Sequence, residues 1–309
     1  MPLRFTFRQL EYFVAVGEAG SIALASEKVN VSSPSISAAV SQLEDEFGHQ
    51  LFLRKHAQGL SLTQAGQQFL DKAKIVLKAG EDLNRLAIDI SGSVKGPLRL
   101  GCLLTFAQLV LPSLRRDFET LYPQVNVTQF ELDQMELFTR LRRAEIDVAL
   151  TYDLNIPPDL VFSPLAELPP YALVAEHHPL ADRSAVSVRD LHEHPMVLLD
   201  LPFSADYFLS LFDDSGLKPN IAERTRDMAV MRSLVANGFG YSFANIRPKT
   251  DRAPDGSKLR FIPLMDKVRP MYLGLVSAEG AGSVLTVKTF MDHCRSKISN
   301  AQIPGMKPE

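Results

Sequence analysis

LEYFVAVGEAGSIALASEKVNVSSPSISAAVSQLEDEFGHQLFLRK, residues 10–55, decides the fold of the N-terminal part of the chain. Leu10, Phe13, Val14 and Val16 form one apolar face, which predicts a helix over FRQLEYFVAVGEAG. Ser21 follows Gly20 and is placed to cap a second helix, IALASEKV, and Asn30 and Val31 make the turn after it. Ser32 and Ser33 offer the next cap, and Pro34 falls in the first turn, where its missing N–H costs nothing. The third helix, PSISAAVSQLEDEF, stops at Gly48 and turns Ile36, Val40 and Leu43 to the core. Two short helices, a tight turn and a third helix make a helix-turn-helix pattern.

The first turn of the third helix carries Ser35 and Ser37 on a small, uncharged surface. Such a surface lets a helix backbone approach base edges and phosphates closely, although these serines also fit plain helix capping. LFLRKHAQGLSLTQAG follows, in which LFL and LSL read as two strands. The turn between them is expected to hold Arg54, Lys55, His56, Gln58 and Gly59, a basic tip suited to phosphate or minor-groove contact. Glu44, Asp45 and Glu46 are placed at the far end of the third helix, away from that tip.

Residues 63–91 form one long helical pattern without proline, and SGSVKGP at 91–97 ends it. Phe69, Ala73, Val76, Leu77, Leu83, Leu86 and Ile90 recur at three- and four-residue steps. That stripe needs a partner, either its own N-terminal domain or the same helix of a second chain. From Gly96 onward the texture is α/β. LRLGCLL, VNVTQFEL and DVALTY read as strands, with helices over FAQLVLPSLRRDFETLY and MELFTRLRRAEI. This order predicts a parallel sheet covered by helices. A second set follows from YALVAEHH through LRFIPL, and the chain closes with MYLGLVS and a helix over VLTVKTFMDHCRSK.

The chain has 309 residues, is 46% hydrophobic and 22% charged, and carries a net charge of −3 with a pI near 6.2. That balance suits a globular protein of two or three domains, and the acidic total requires any nucleic-acid contact to be local. Residues MPLRFTFRQLEYF lack the apolar core of a signal peptide, and no apolar run matches a membrane span, so a cytoplasmic protein without membrane contact is expected. Cys102 and Cys294 have no metal-ligand spacing and read as buried, inert thiols.

The run from Phe7 to Gly66 resembles the DNA-binding domain of LysR-type transcriptional regulators. Ser21, Pro34, Ser37, Leu43-Glu44, Gly48, Leu51-Phe52, Arg54, Leu62-Thr63 and Ala65-Gly66 carry the resemblance, which extends over the whole chain. It implies a winged helix-turn-helix over 1–62, a linker and dimerisation helix over 63–91, and an effector-binding domain over 96–309. That domain would comprise two Rossmann-like α/β subdomains, residues 96–164 with 268–309 and residues 165–267, similar to the type 2 periplasmic solute-binding fold. The implied partners are double-stranded promoter DNA, a small-molecule effector, RNA polymerase and further copies of the chain, as dimers paired into a homotetramer. The candidate DNA-contacting residues are Ser21, Ser32, Ser33, Pro34, Ser35, Ser37, Ala38, Arg54 and Lys55. Ser33 and Ala38 stand where the family often has Gln and Arg, so specificity is expected to lean on Ser35, the wing and DNA shape.

Ligands of doubly wound folds bind at the carboxyl ends of strands. Applied here, that rule selects Leu104, Thr105, Phe106, Thr151 and Tyr152 in the first subdomain and Pro202, Phe203 and Ser204 in the second. The resemblance adds Gln134 and matches Thr105 to a hydroxyl that often meets an effector carboxylate. Thr105 and Ser204 also fit helix caps, and Tyr152 and Phe203 also fit the core. The uncharged set points to a partly apolar metabolite, an organic or amino acid. Rival readings are a solute-binding carrier, which leaves the helix-turn-helix unexplained, and an oxidant-sensing regulator, which wants two neighbouring cysteines in the second subdomain. An enzyme is not expected. His177-His178, His192 and His194 sit in short loop or helix-start motifs without an ordered carboxylate or cysteine set, and neither a phosphate loop nor a nucleophile elbow occurs. No cofactor, metal or catalytic residue is therefore assigned.

Overall fold

The computed structural model describes residues 4–55, 59–90 and 92–307, and the chain divides into two compact units at 91/92. The first holds α1 (Phe7–Ala19), α2 (Ile22–Val29), α3 (Ser33–Phe47), β1 (Phe52–Lys55), β2 (Gly59–Leu62) and α4 (Gln64–Ile90). A capping box opens α1. Gln9 N donates to Thr6 Oγ1, and Thr6 N donates to the Gln9 side chain. Each of the first three helices stops at a left-handed residue, Gly20, Asn30 and Gly48 in turn. Their core is Phe13, Val16, Ala25, Ile36 and Leu43, each essentially removed from water. Burial of one such large side chain contributes about 1.5–3 kcal/mol. On α1, Ala15 is buried where Val14 was expected, and Val14 packs half-buried at the edge.

Two close approaches set the wing. Leu60 N donates to Gly20 O at 2.9 Å, which ties β2 to the α1–α2 turn. Thr63 Oγ1 donates to Gln50 O and accepts from Gly66 N, both at 2.8 Å, so the start of α4 is fastened under β1. Gly66 permits this approach, since a Cβ there would lie 2.0 Å from Leu51 O. On α4, Leu70 and Ala73 face this core, while Ile75, Val76 and Leu83 stand exposed. The Leu86 and Ile90 side chains lie outside the described residues.

The second unit starts with β3 (Gly96–Leu103), α5 (Leu104–Ala107), α6 (Leu111–Leu121), β4 (Val125–Leu132), α7 (Gln134–Arg142), β5 (Val148–Tyr152) and β6 (Leu160–Leu168). It crosses at Pro169-Pro170 into β7 (Tyr171–Ala175), α8 (Val188–His192), β8 (Pro195–Leu199), α9 (Ser204–Ser210), β9 (Asn220–Thr225), α10 (Met228–Ala236), β10 (Ser242–Ala244) and β11 (Leu259–Pro263). It then returns through β12 (Met271–Ala278) to α11 (Leu285–Lys297). The first sheet has the order β4-β3-β5-β12-β6. In the second subdomain β10-β7-β11 and β8-β9 are joined by a Met196–Tyr241 bridge.

Several elements differ from the sequence reading. The first sheet is mixed: β3, β4 and β5 are parallel, but β12 arrives from the second subdomain and pairs antiparallel with β5 and β6. β6 is absent from the sequence reading because Pro157, Pro158 and Pro164 interrupt its pattern. Such prolines are tolerated on an edge strand, and Pro164 pairs with Gly274 beside a bulge. β6 stays in the first sheet through Leu168, past the 164/165 boundary. The helix expected over 106–122 is two, α5 and α6, since Pro112 has no N–H to carry the ladder back. α7 ends at Arg142, short of Ile146, with Ala144 at φ 52°.

Candidate nucleic-acid interface and ligand cleft

The N-terminus of α3 is built by its serines. Ser32, not Ser33, is the cap: its Oγ accepts from Ser35 N and shares a 2.8 Å hydrogen bond with Ser35 Oγ. Ser32, Pro34, Ser35 and Ala38 are exposed or half-exposed along this end, and Ser33 and Ser37 line it beside them. Ser21 caps α2, with its Oγ 3.5 Å from Leu24 N. Arg54, Lys55 and Gly59 are strand residues rather than turn residues, registered Arg54–Leu60 and Lys55–Gly59. The expected tip residues His56 and Gln58 lie outside the described residues. Glu44 is not a free acidic group on the far end of α3: its carboxylate accepts from Leu51 N at 2.7 Å and Phe52 N at 3.1 Å. The acid thus anchors the entry to β1, a charge-assisted contact that the sequence pattern does not show.

In the second unit, a slot between the two subdomains is lined by Thr105, Tyr152, Leu199, Ser204, Phe208, Met228, Phe243 and Asn245, among others. Its cavity volume is about 20 Å³, room for little more than one water. Of the expected effector residues, the structure brings Thr105, Tyr152 and Ser204 together at this slot. Leu104 packs half-buried against the second subdomain's core, and Phe106 is core, its ring 4.6 Å from that of Tyr152. Gln134 is fully buried, and its Nε2 donates to Tyr152 O at 3.0 Å and Leu154 O at 2.7 Å, which braces the end of β5. Thr151 is fully buried one residue before Tyr152, and Pro202 and Phe203 are half-buried beside Ser204.

Unpaired polar atoms mark this region. Thr105 Oγ1, Gln134 Oε1 and Thr151 Oγ1 are buried without a well-formed hydrogen bond. A buried polar atom without a partner costs about 1–3 kcal/mol, and native folds keep few of them. Burial pushes the Tyr152 phenol well above its usual range, opposed in part by the neighbouring Thr105 and Asn245 groups. Phe203 adds backbone strain, with φ 63°, and its ring stacks 6.2 Å from that of Phe138 on α7. Strain of that kind, about 1–3 kcal/mol, persists where surrounding structure enforces it and concentrates at ligand clamps.

The slot is spanned by side chains from both subdomains. Tyr152 OH donates to Asn245 Oδ1 at 2.8 Å, Arg226 pairs with Asp133 at 3.0 Å, and Phe203 lies on Phe138. Asn245, Phe208, Met228 and Phe243 were missed from sequence. The strand-end rule applied to SFA would have found Asn245, which directly follows β10. The methionines and phenylalanines carry no signal beyond apolarity. Cys102 and Cys294 are free, fully buried thiols in the first subdomain, and burial pushes both far from the thiolate.

A family described as the bacterial regulatory helix-turn-helix protein of the lysR family matches residues 7–67, and the LysR substrate binding domain matches residues 91–299. HinK, a LysR family transcriptional regulator from Pseudomonas aeruginosa, has a similar structure, with TM-score 0.65 and 35% identity over 96% of this chain and 99% of its own. Full-length CbnR complexed with its target DNA gives TM-score 0.67 at 25% identity, over 94% of this chain and 99% of its own. The DNA-binding transcriptional dual regulator OxyR of Escherichia coli is 25% identical over 89% of this chain and 90% of its own. With both family domains in order along one chain, and full-length relatives matched nearly end to end, the protein belongs to the LysR family of transcriptional regulators.

Proposed function

We propose that residues 1–62 hold the α3 N-terminus and the wing against promoter DNA, and that the domain over 96–309 opens its slot to take a small organic or amino acid. Ser21, Ser32, Ser33, Pro34, Ser35, Ser37, Ala38, Arg54 and Lys55 form the DNA-contacting set. Thr105, Tyr152 and Ser204 meet the ligand directly, with Leu104, Phe106, Gln134, Thr151, Pro202 and Phe203 shaping the pocket around them. One observation supports the ligand reading: Thr105 Oγ1 is buried without a well-formed hydrogen bond at the wall of a slot whose two sides meet through the Tyr152–Asn245 and Arg226–Asp133 pairs as well as apolar packing. A carboxylate or hydroxyl would pair with the Thr105 hydroxyl, and a ligand of several heavy atoms requires the walls to part first.

Residues 63–91 would then pair two chains, since Ile75, Val76 and Leu83 are exposed on α4 of the single chain. Dimers paired into a tetramer would read interrupted dyad sites, and RNA polymerase would receive the signal in the cytoplasm. Ligand binding alters transcription only through different affinities for the two closure states. The buried, protonated thiols favour metabolite sensing over peroxide sensing. A thermal-shift screen of carboxylic and amino acids tests this reading. A hit whose stabilisation vanishes on Thr105→Val and Ser204→Ala is expected, and a hit indifferent to both substitutions overturns the assignment of the slot.

A further inference from the structure

A larger cavity, about 390 Å³, lies in the second unit where the chain passes between its subdomains. Its walls include both crossings, Glu167–Tyr171 on one side and Pro263-Leu264 on the other. The segment after α11 closes it. Glu167 N donates to Asn300 Oδ1 at 2.8 Å, Met306 bridges Pro248, and Lys307 N donates to Arg247 O at 2.9 Å. Gly305 seats this strap with φ 77°, and a Cβ there would stand 1.9 Å from Leu109 O. The strap therefore joins the last helix of the first subdomain to residues 247–248 of the second.

The lining is mainly apolar, with Glu167, Tyr171, Asn245, Arg247, Asn300 and Lys307 as its polar members. Pro169, Phe261, Ile303 and Met306 supply the body, and Arg247 supplies a cation. The Arg247 guanidinium lies 5.0 Å from the centre of the Phe261 ring. Its Nε is buried with no hydrogen-bond partner. The acidic residue of the wall, Glu167, is exposed, and Arg247 with Lys307 leaves the wall net positive. A volume of this size falls within the roughly 300–1,000 Å³ of small-molecule sites, and a mainly apolar wall with a small number of polar groups is their usual chemistry.

We propose that this hinge cavity is a second ligand site, for an amphipathic monocarboxylate whose carboxylate meets Arg247 and whose apolar body lies among Pro169, Phe261, Ile303 and Met306. A ligand there touches both crossings and the strap at once. It would bias how the subdomains close without entering the slot, and the site stands whether or not the slot binds an effector.

Isothermal titration of the full chain with octanoate, and with 1-octanol as the uncharged match, tests this. Saturable octanoate binding is expected, roughly ten-fold or more weaker for octanol and for Arg247→Gln, the loss of a charged hydrogen bond in an apolar site. Ala301→Trp, at the cavity wall, removes binding by filling the space, which keeps the test decisive if Arg247→Gln folds poorly. Thr105→Val leaves octanoate binding unchanged. No saturable binding would mean that Arg247 is served by water, and the proposal falls. Equal affinity for octanol, or loss with Thr105→Val but not with Arg247→Gln, overturns it as well.

Discussion

Replacing Tyr152 by Phe removes one hydroxyl from the slot and nothing else. That hydroxyl donates to Asn245 Oδ1 at 2.8 Å, and both residues are at most 6% exposed, so no bulk water stands ready to replace the bond. A neutral buried hydrogen bond contributes about 1 kcal/mol net, and leaving its acceptor unsatisfied raises the cost toward about 3 kcal/mol. In an opened slot both groups are hydrated, so the loss falls on the closed form alone. About 1–1.4 kcal/mol shifts closed toward open roughly 5- to 10-fold, and an effector that enters only once the walls have parted gains apparent affinity by up to the same factor. The chain has no tryptophan, so Phe203→Trp at the rim provides a single reporter. Acrylamide quenching of that reporter is expected to increase when Tyr152→Phe is added. Unchanged quenching together with a lower melting temperature would place the bond in a static core and refute its role as a latch.

Gly66→Ala pushes a methyl group into Leu51 O and should destabilise the N-terminal unit by about 1–3 kcal/mol, read as a lower denaturant midpoint for that unit. An unshifted midpoint would show that the α4–β1 junction is not tight. Burial beside His194 and His177 pushes His178 from 6.5 down to about 4, so the unfolded chain binds its proton first. Stability is then full above about pH 6.5 and falls as the pH drops toward 4, and His178→Asn should flatten that fall in urea titrations at pH 7 and pH 5. Cys102→Ser combined with Cys294→Ser should leave the response of DNA binding to hydrogen peroxide as it is in the unsubstituted chain. A peroxide effect abolished by the pair would restore the redox reading.

The helix-turn-helix was legible because its signals are local. Ser21 and Ser32 cap, Gly20, Asn30 and Gly48 stop, and Ile36, Val40 and Leu43 repeat at helical spacing. The long-range features were not. Glu44 anchoring the start of β1 joins a helix to a strand whose pairing no short pattern encodes. The antiparallel β12 between β5 and β6 depends on where the chain returns from the second subdomain, which the strand pattern leaves open. At the candidate slot, the strand-end rule selected three residues that line it, Thr105, Tyr152 and Ser204. It passed Asn245 because SFA is a three-residue strand. Gln134 and Thr151 read as polar contacts, but the fold surrounds both with protein.

The proposed placement of α3 and the wing against a duplex is the central claim, and the salt dependence of binding measures it directly. Anisotropy titrations of the full-length chain on its own upstream region and on a random fragment, from low to moderate salt, should show a clear preference for the former. Arg54→Ala with Lys55→Ala should lower affinity on both and reduce the log–log salt slope by about 0.9 for each phosphate that is no longer neutralised. Equal binding to both fragments, with a slope indifferent to the two substitutions, would contradict the placement of this unit on DNA.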